Sequence, residues 1–582
     1  MGVPGFVAWL RDYFKDKMIH NKLPNRPKKL YIDGNCLIHP KCFEVLAYIS
    51  QNNPNNDINI DKLEAMMFKR IAKYISYITN YVNPEICYFA VDGVAPAAKI
   101  NQQRFRRYKS VVDNDLKTKL KEKYKINKDN EIKWSNTVIT PGTEFMNKLH
   151  NHLLNYFKNL NTTNKNTKYI YTSYLEAGEG EHKIMDEIRN NNNINLEDIY
   201  VIYGLDADLF FLSMSCKKKN IYLLREEQHF VNGQPAKNEL FDVIDDVAED
   251  LRYVSIDITK ECYDIRMQHI VKNKLENSED YGNNINKKIL ERSDYCSDFV
   301  FLCYLLGNDF IPHLPTVDIK KNGLDTLIDC YVDTYINLGM TLLTESNNNN
   351  IDIKINIIFL TELIRCLGEL EERFYKEIVP KYEHKISRRR CPASDEYSKE
   401  LWDIENMRAP SFYVEDEPIK CGTGNKDVWK WRYYEYYYGT KEKNNHKIFV
   451  NLMCKMYIEG LMWVTKYYYN GCASWKWKYP FIHAPFISDI YTYLKESNID
   501  INDIKFTLGK PLNPEQQLLA VLPYSCNNIV PKKYRYLMTD KNSPIKDMYP
   551  SEVKIDMIHK DMYWMCIPML PYLDIDRIIK YT

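Results

Sequence analysis

The sequence predicts an α/β protein built on a mostly parallel, twisted sheet with helices on both faces. Two observations carry this. Short β-type runs end on acidic residues, and segments with helical periodicity lie between them. The run Leu30 to Ile32 leads into Asp33. The run Ile86 to Val91 leads into Asp92, and a helix bearing Lys99, Gln103, Arg106 and Arg107 follows that turn. Pro141 and Gly142 then signal a helix start, with Phe145, Leu149, Leu153, Leu154, Phe157 and Leu160 as its apolar face. The glycines around Glu179 permit tight backbone before a helix containing Ile184, Met185 and Ile188. The last run, Ile199 to Leu205, opens onto Asp206 and Asp208.

From Thr344 to Asp427 the character changes. Asparagines 348–350, the run Arg388-Arg389-Arg390, Pro410 and acidic residues 415–417 read as a connecting segment around one helix, Ile358 to Tyr375. We therefore expect units at 1–343 and 429–582 joined by 344–428. The second is dense in aromatics from Trp429 to Pro480 and globular again from Leu518 to Leu570. Asparagine tracts at 191–193 and 347–350 read as loop filler.

Composition excludes several classes of protein. With 582 residues, 45% hydrophobic and 27% charged, the chain can bury a large core and does not resemble a disordered or collagen-like one. Its 79 basic and 78 acidic residues give a net charge of +1, so any polyanion site must be local. The longest uncharged apolar stretch, Phe299 to Leu306, is far short of the ~20 residues that span a bilayer. Arg11, Asp12, Lys15, Asp16 and Lys17 stand where a signal peptide needs an apolar core, which predicts an intracellular protein with no membrane association. Fifteen cysteines without a Cys-x-x-Cys pair predict reduced thiols.

In open parallel sheets ligands bind at the carboxyl ends of strands, where the acids collect. Asp206 and Asp208 follow a strand, and residues two apart on a strand point to the same face, so both carboxylates can reach one site. With Asp33, Asp92, Glu179, Glu181 and Asp309 they make seven carboxylates near strand ends or turns. So many acids repel one another unless divalent cations neutralise them, and hard oxygen donors suit magnesium. Taken singly, each could equally be a helix cap or turn residue. Lys99, Gln103, Arg106 and Arg107 fall at i, i+4, i+7 and i+8, one helix face able to receive an anion. A solvated charged face is the alternative.

These residues stand in a longer pattern. Met1-Gly2-Val3-Pro4, Tyr31-Ile32-Asp33-Gly34-Asn35 through His39, Val91-Asp92-Gly93-Val94-Ala95-Pro96, Ile139 to Met146, Gly178 to Lys183, Tyr203 to Asp208, Leu224 to Glu227 and Gly307-Asn308-Asp309-Phe310-Ile311-Pro312 occur in this order. Tyr467 to Tyr469, Ser474-Trp475-Lys476-Trp477, His483 to Phe486, Gly509-Lys510-Pro511 and Leu518 to Pro523 continue it. The pattern resembles that of the Xrn family of 5′-to-3′ exoribonucleases over nearly the whole chain.

The resemblance implies a PIN/flap-endonuclease-like nuclease core and a second, more helical and irregular region packed over the active site. It implies that all seven acids bind two metal ions, magnesium with manganese as an alternative. Lys99, Gln103, Arg106 and Arg107 would receive a 5′-monophosphate. His39 would stack on the first bases with a tryptophan, Trp463, Trp475 or Trp477, the first slightly favoured; core packing is an equal alternative for each. The implied activity is processive degradation of 5′-monophosphorylated single-stranded RNA to nucleoside 5′-monophosphates, in RNA decay. A monomer is expected, in the cytoplasm ahead of the nucleus. Ala97 departs from the arginine common in the family, and the chain lacks a long C-terminal extension, as a compact member from a large DNA virus or an AT-rich microbe would. Two rivals remain at this point, a structure-specific 5′ flap nuclease acting on DNA and a catalytically silent RNA-binding protein.

Overall fold

The computed structural model describes residues 6–14, 17–52, 58–126, 134–190, 195, 197–226, 250–277, 289–346, 352–412, 417–440 and 443–582. Seven strands make one sheet: β1 (Ile19–His20), β2 (Lys29–Asp33), β3 (Ile86–Ala90), β4 (Lys168–Thr172), β5 (Tyr200–Tyr203), β6 (Ile221–Glu226) and β7 (Leu251–Ser255). Their order is β1-β7-β6-β5-β2-β3-β4. The five strands from β6 to β4 are parallel, and β7 and β1 add antiparallel pairs at one edge. Asp33 pairs with Ala90 and Ala90 with Thr172, so β2, β3 and β4 end level. After β2 the chain moves outward through β3 and β4, then returns to place β5 on the other side of β2. That reversal is a switch point, where a parallel sheet opens a crevice at its carboxyl edge.

Alternation along the strands assigns the two faces. Leu30 and Ile32 pack with one buried cluster and Tyr31 with the other. The first cluster collects α2 (Gly34–Asn52), α3 (Ile60–Val82) and α5 (Glu144–Thr163), through side chains such as Leu37, Ile71 and Leu149. The second collects α1 (Phe6–Phe14), α6 (Gly180–Asn190), α7 (Asp208–Met214) and α8 (Ile256–Glu276), through Leu10, Ile184, Phe210 and Met267. A further long helix, α4 (Ala97–Lys123), leaves the turn after Asp92.

The second region is largely helical, and among the described residues the helix within the expected connecting segment packs into the core. Phe359, Leu360, Leu363, Ile364 and Leu367 of the helix Ile357–Glu369 are buried in the same cluster as Phe299 and Met453. The C-terminal part docks separately, with Leu518, Leu519 and Val521 packed against Val94, Ala95 and Ile100 beside the start of α4. One described helix, Lys443–Tyr469, is long and apolar enough to cross a membrane, although Lys455, Glu459 and Lys466 interrupt its uncharged runs. Met453, Tyr457, Ile458, Leu461 and Met462 of this helix are buried in the protein core. All fifteen cysteines carry free thiols.

Candidate active site

Each acid arrives by its own local device. Asp33 is the last residue of β2 and α2 begins at once, so the Asn35 N–H (3.3 Å) and the Cys36 thiol (2.9 Å) donate to its two oxygens. Asp92 is reached by the Gly180 N–H at 2.6 Å, and its own N–H donates to Asn35 Oδ1. That link pins Glu179 and Glu181, which flank Gly180, beside the ends of β2 and β3. Gly93 closes the turn; its N–H donates to the Gly178 carbonyl at 2.9 Å, and a Cβ here would lie 1.8 Å from the Glu176 oxygen. Lys183 ties the same corner by donating to the carbonyls of Val91 and Ser173.

Asp206 and Asp208 do not lie on a strand. β5 stops at Tyr203, Asp206 sits in the following turn, and Asp208 is the first residue of α7. The expected strand alternation is therefore corrected: a tight turn after Gly204, with Leu205 held by Arg225, redirects the chain before the acids are reached.

The seven acids nevertheless form one electrostatic group. Asp33 feels Asp92 and Asp206; Glu181 feels Glu179, Asp208 and Asp206; Asp208 feels Asp309. Asp33, Glu179, Glu181, Asp208 and Asp309 are only 4–8% exposed. Burial, then the charge of Asp92, pushes Asp33 up to about 8. Burial, then Asp309, pushes Asp208 up to about 7. Burial likewise raises Asp92, Glu179 and, most strongly, Glu181. Asp309 goes the other way: burial opposes its charge, but the Lys99 ammonium 2.5 Å away holds it well below the ordinary range.

Lys99 therefore belongs to the acid cluster as much as to the expected anion pocket. Its ammonium also lies 2.7 Å from Glu179 Oε1. Gln102, one turn further along α4, donates to the other Asp309 oxygen.

A cavity of about 530 Å³ joins these parts. It is lined by the acids Asp33, Asp92, Glu179, Glu181 and Asp206 and also by Lys99, Gln103, Arg106, Arg107 and His39. Asp208 and Asp309 stand behind this wall. Arg107 is fixed by donating to Thr140 Oγ1 at 2.9 Å, and burial lowers it to about 10, so it stays cationic at neutral pH. His39, two turns into α2, is lowered by burial and then by Arg107 and Arg106 to about 4, which keeps its ring neutral.

The tryptophans do not line this cavity. Trp463 is fully buried, stacked between Tyr467 (4.7 Å) and Trp477 (5.4 Å), with its Nε1 donating to the Ser474 carbonyl. In this conformation it offers no ring face to a base. Trp477 is half-buried against it. Trp475 is half-buried too, and its carbonyl accepts from the Ala97 N–H at the start of α4.

Sequence reasoning did not single out two residues by which the second region reaches the site. Gln517 accepts from the Ala95 N–H and donates to Gln103 Oε1, and Tyr467 donates to Glu179 Oε2 at 3.3 Å. Tyr467 stood in the quoted motif of three tyrosines. Gln517 lies immediately before a quoted motif, so position was its one signal.

The donor set fits divalent cations. The cluster is all hard oxygen, seven carboxylates face one buried lysine, and Glu181 Oε2 is buried without a hydrogen-bond partner among the described residues. Glu179, Glu181 and His182 also present ligand atoms within 4.8 Å of one another. His182, however, is packed on the Tyr467 ring with centroids 3.7 Å apart.

Residues 1–227 match the sequence model of the XRN 5′-3′ exonuclease N-terminus, and residues 290–411 and 423–582 match that of the Xrn1 helical domain. The whole chain aligns with human 5′-3′ exoribonuclease 1 at 29% identity, covering 34% of that protein. It aligns with Arabidopsis thaliana 5′-3′ exoribonuclease 2 at 28% over 67% of that protein, and with Saccharomyces cerevisiae 5′-3′ exoribonuclease 1 at 26% over 43%. The chain thus spans about a third of the human relative's length and about two thirds of the plant relative's. With an α/β core, a helical second region and seven acids gathered at the sheet's carboxyl edge, the chain belongs to the Xrn family of 5′-3′ exonucleases.

Proposed function

We propose that this protein is a 5′-to-3′ exoribonuclease that degrades 5′-monophosphorylated, single-stranded RNA one nucleotide at a time and acts in RNA decay. One observation supports this most: a single cavity is lined by Gln103, Arg106 and Arg107 together with five of the seven acids. A 5′-phosphate docked on the arginines brings the first phosphodiester over the carboxylates, so binding fixes which bond is cut. Asp33, Asp92, Glu179, Glu181, Asp206, Asp208 and Asp309 would hold two magnesium ions, or manganese in their place. Bound there, such ions supply the positive charge that stabilises the in-line displacement at phosphorus.

The protein's own residues do the rest. Arg107, braced by Thr140, offers a fixed fork to phosphate oxygens. Lys99 spans Glu179 and Asp309 and holds them at a constant separation. His39, neutral and at the cavity wall, can stack on a base without reading it. The products are a nucleoside 5′-monophosphate and a shortened RNA with a new 5′-phosphate, which is again a substrate and makes a processive course natural. The protein works as a monomer inside the cell, in the cytoplasm on this reading.

The test is digestion of one RNA carrying 5′-monophosphate, 5′-triphosphate or 5′-hydroxyl ends, with magnesium. The monophosphate should be consumed at least tenfold faster than the others. Equal rates would refute end recognition.

A further inference from the structure

A second cavity, of about 650 Å³, lies along a neighbouring face of α4. It is not the RNA cavity, yet Arg106, Ser110 and Asp309 stand between the two: Arg106 and Ser110 line both, and Asp309, in the metal cluster, lines this one. The charge on its walls is unbalanced. Its three acids are already paired: Asp113 with Lys109 at 2.5 Å, Asp309 with Lys99 at 2.5 Å, and Asp318 with Lys321 at 2.8 Å. Of its five cations, Lys109 is thus used, while Arg106, Lys117, Lys320 and Lys560 have no carboxylate within ion-pair distance among the described residues. Burial holds Lys560 and Lys320 below the ordinary lysine range even though Asp318 and Asp561, and for Lys560 also Asp556, act on them from beyond ion-pair distance, and an arriving anion would relieve what remains of that penalty.

Much of the remaining lining is apolar or aromatic, with Phe105, Phe310, Phe481 and Trp564 among it, and Asn101, Asn114 and Asn308 are polar members. Trp564 is 51% exposed and carries Lys320 Nζ 4.9 Å from its ring centroid, so a flat apolar surface and a cation lie side by side. Four unpaired cations over an aromatic floor fit a small molecule with an anionic end and a planar body, and the volume lies within the range of ligand sites.

Building on the proposed exoribonuclease reading, we propose that this second cavity binds the released nucleoside 5′-monophosphate, which passes along α4 by way of Arg106. Arg106 is exposed and faces both spaces, so it can hold the phosphate before and after the transfer without a bond being made or broken. The base then rests on Phe105, Phe481 or Trp564, and Lys560 and Lys320 take the phosphate. A product held there leaves the first cavity open for the new 5′ end.

The experiment is equilibrium binding of radiolabelled AMP to the full chain in EDTA, with and without a saturating 5′-phosphorylated oligoribonucleotide whose own binding is followed by fluorescence anisotropy. One AMP should stay bound when the RNA cavity is full. Lys560→Met and Lys320→Met should each weaken that AMP at least tenfold, while Lys560→Arg keeps it within about threefold and RNA anisotropy is unchanged in all three. Circular dichroism and melting of each variant establish that it is folded. If the RNA displaces all AMP, or the residual AMP is indifferent to Lys560 and Lys320, the product cavity is wrong although the nuclease reading stands. If the oligoribonucleotide fails to bind, the exoribonuclease reading fails, and the Lys560 dependence of AMP binding still decides the cavity.

Discussion

Gly180 is the position where a single methyl group tests the acid cluster. A Cβ there would lie 2.8 Å from Asp33 Oδ1, 2.9 Å from the Ala90 carbonyl oxygen and 3.3 Å from Asp92 Oδ1. The Ala90 oxygen belongs to β3 and cannot step aside, so the strain passes to the carboxylates and to the 2.6 Å bond from Gly180 N–H to Asp92. Relieving these contacts needs a shift of roughly half an ångström, and overpacking of this kind costs about 1–3 kcal/mol. Misplacing groups that position a reacting bond can lower the rate by about 10²-fold. Gly178→Ala is the control: φ is +106°, so an alanine there is strained, but the nearest atom to its Cβ is Lys183 Cγ at 3.6 Å. Both variants should lose similar stability in thermal melts, and only Gly180→Ala should lose activity on 5′-phosphorylated RNA, by about two orders of magnitude. A Gly180→Ala enzyme within threefold of wild type, or equal losses in the two variants, would refute the argument.

Three further outcomes are expected. In metal-free protein Asp33 and Asp208 titrate at about 8 and about 7, above their unfolded value of 3.8, so the folded state binds more protons between those limits. Stability is then fully present below about pH 4 and lost as pH rises towards 8, by on the order of 10 kcal/mol or about 8 °C for a chain this long. Melts in EDTA from pH 5 to 8 should fall and magnesium should reverse the fall at pH 8; a flat or rising trend in EDTA contradicts the cluster. Lys99→Met leaves Glu179 and Asp309 buried without their shared cation, a loss of about 3–5 kcal/mol by denaturant titration; a change below 1 kcal/mol would show that the pair is not held as described. Arg107→Gln should abolish the preference for a 5′-phosphate while slowing 5′-hydroxyl RNA less than threefold, and an unchanged preference would remove Arg107 from the pocket.

Much of the fold was legible because β2 and β3 are short apolar runs that stop at carboxylates, a local signal with a physical reason. The helical face of α4 was legible for the same cause, its 3.6-residue period. What was not legible depends on partners far away in sequence. Lys99 meets Asp309 across 210 positions, and nothing near Lys99 shows that it will sit among acids instead of in an open pocket. The turn after Gly204 takes Asp206 and Asp208 off the strand, because Leu209 packs against Gly204 and winds the chain into α7 early. Trp463 was the slightly favoured stacking residue, and on its face of the helix Lys443–Tyr469 core and ligand roles share one pattern; only the packing of Tyr467 and Trp477 on its two sides tells them apart. The stretch near 344–428 reads as a connector from its charge runs, while its buried residues Phe359 to Leu367 follow an ordinary core period within it.

The most direct measurement uses one single-stranded RNA labelled at its 5′-phosphate with ³²P and at its 3′ end with a fluorophore. With magnesium, the ³²P should appear first and solely as nucleoside 5′-monophosphate while the fluorophore remains on long RNA, and Asp208→Ala should release neither. Release of the fluorophore before the ³²P, internal fragments of intermediate length, or an Asp208→Ala protein as active as wild type would contradict a 5′-to-3′ exoribonuclease built on this cluster.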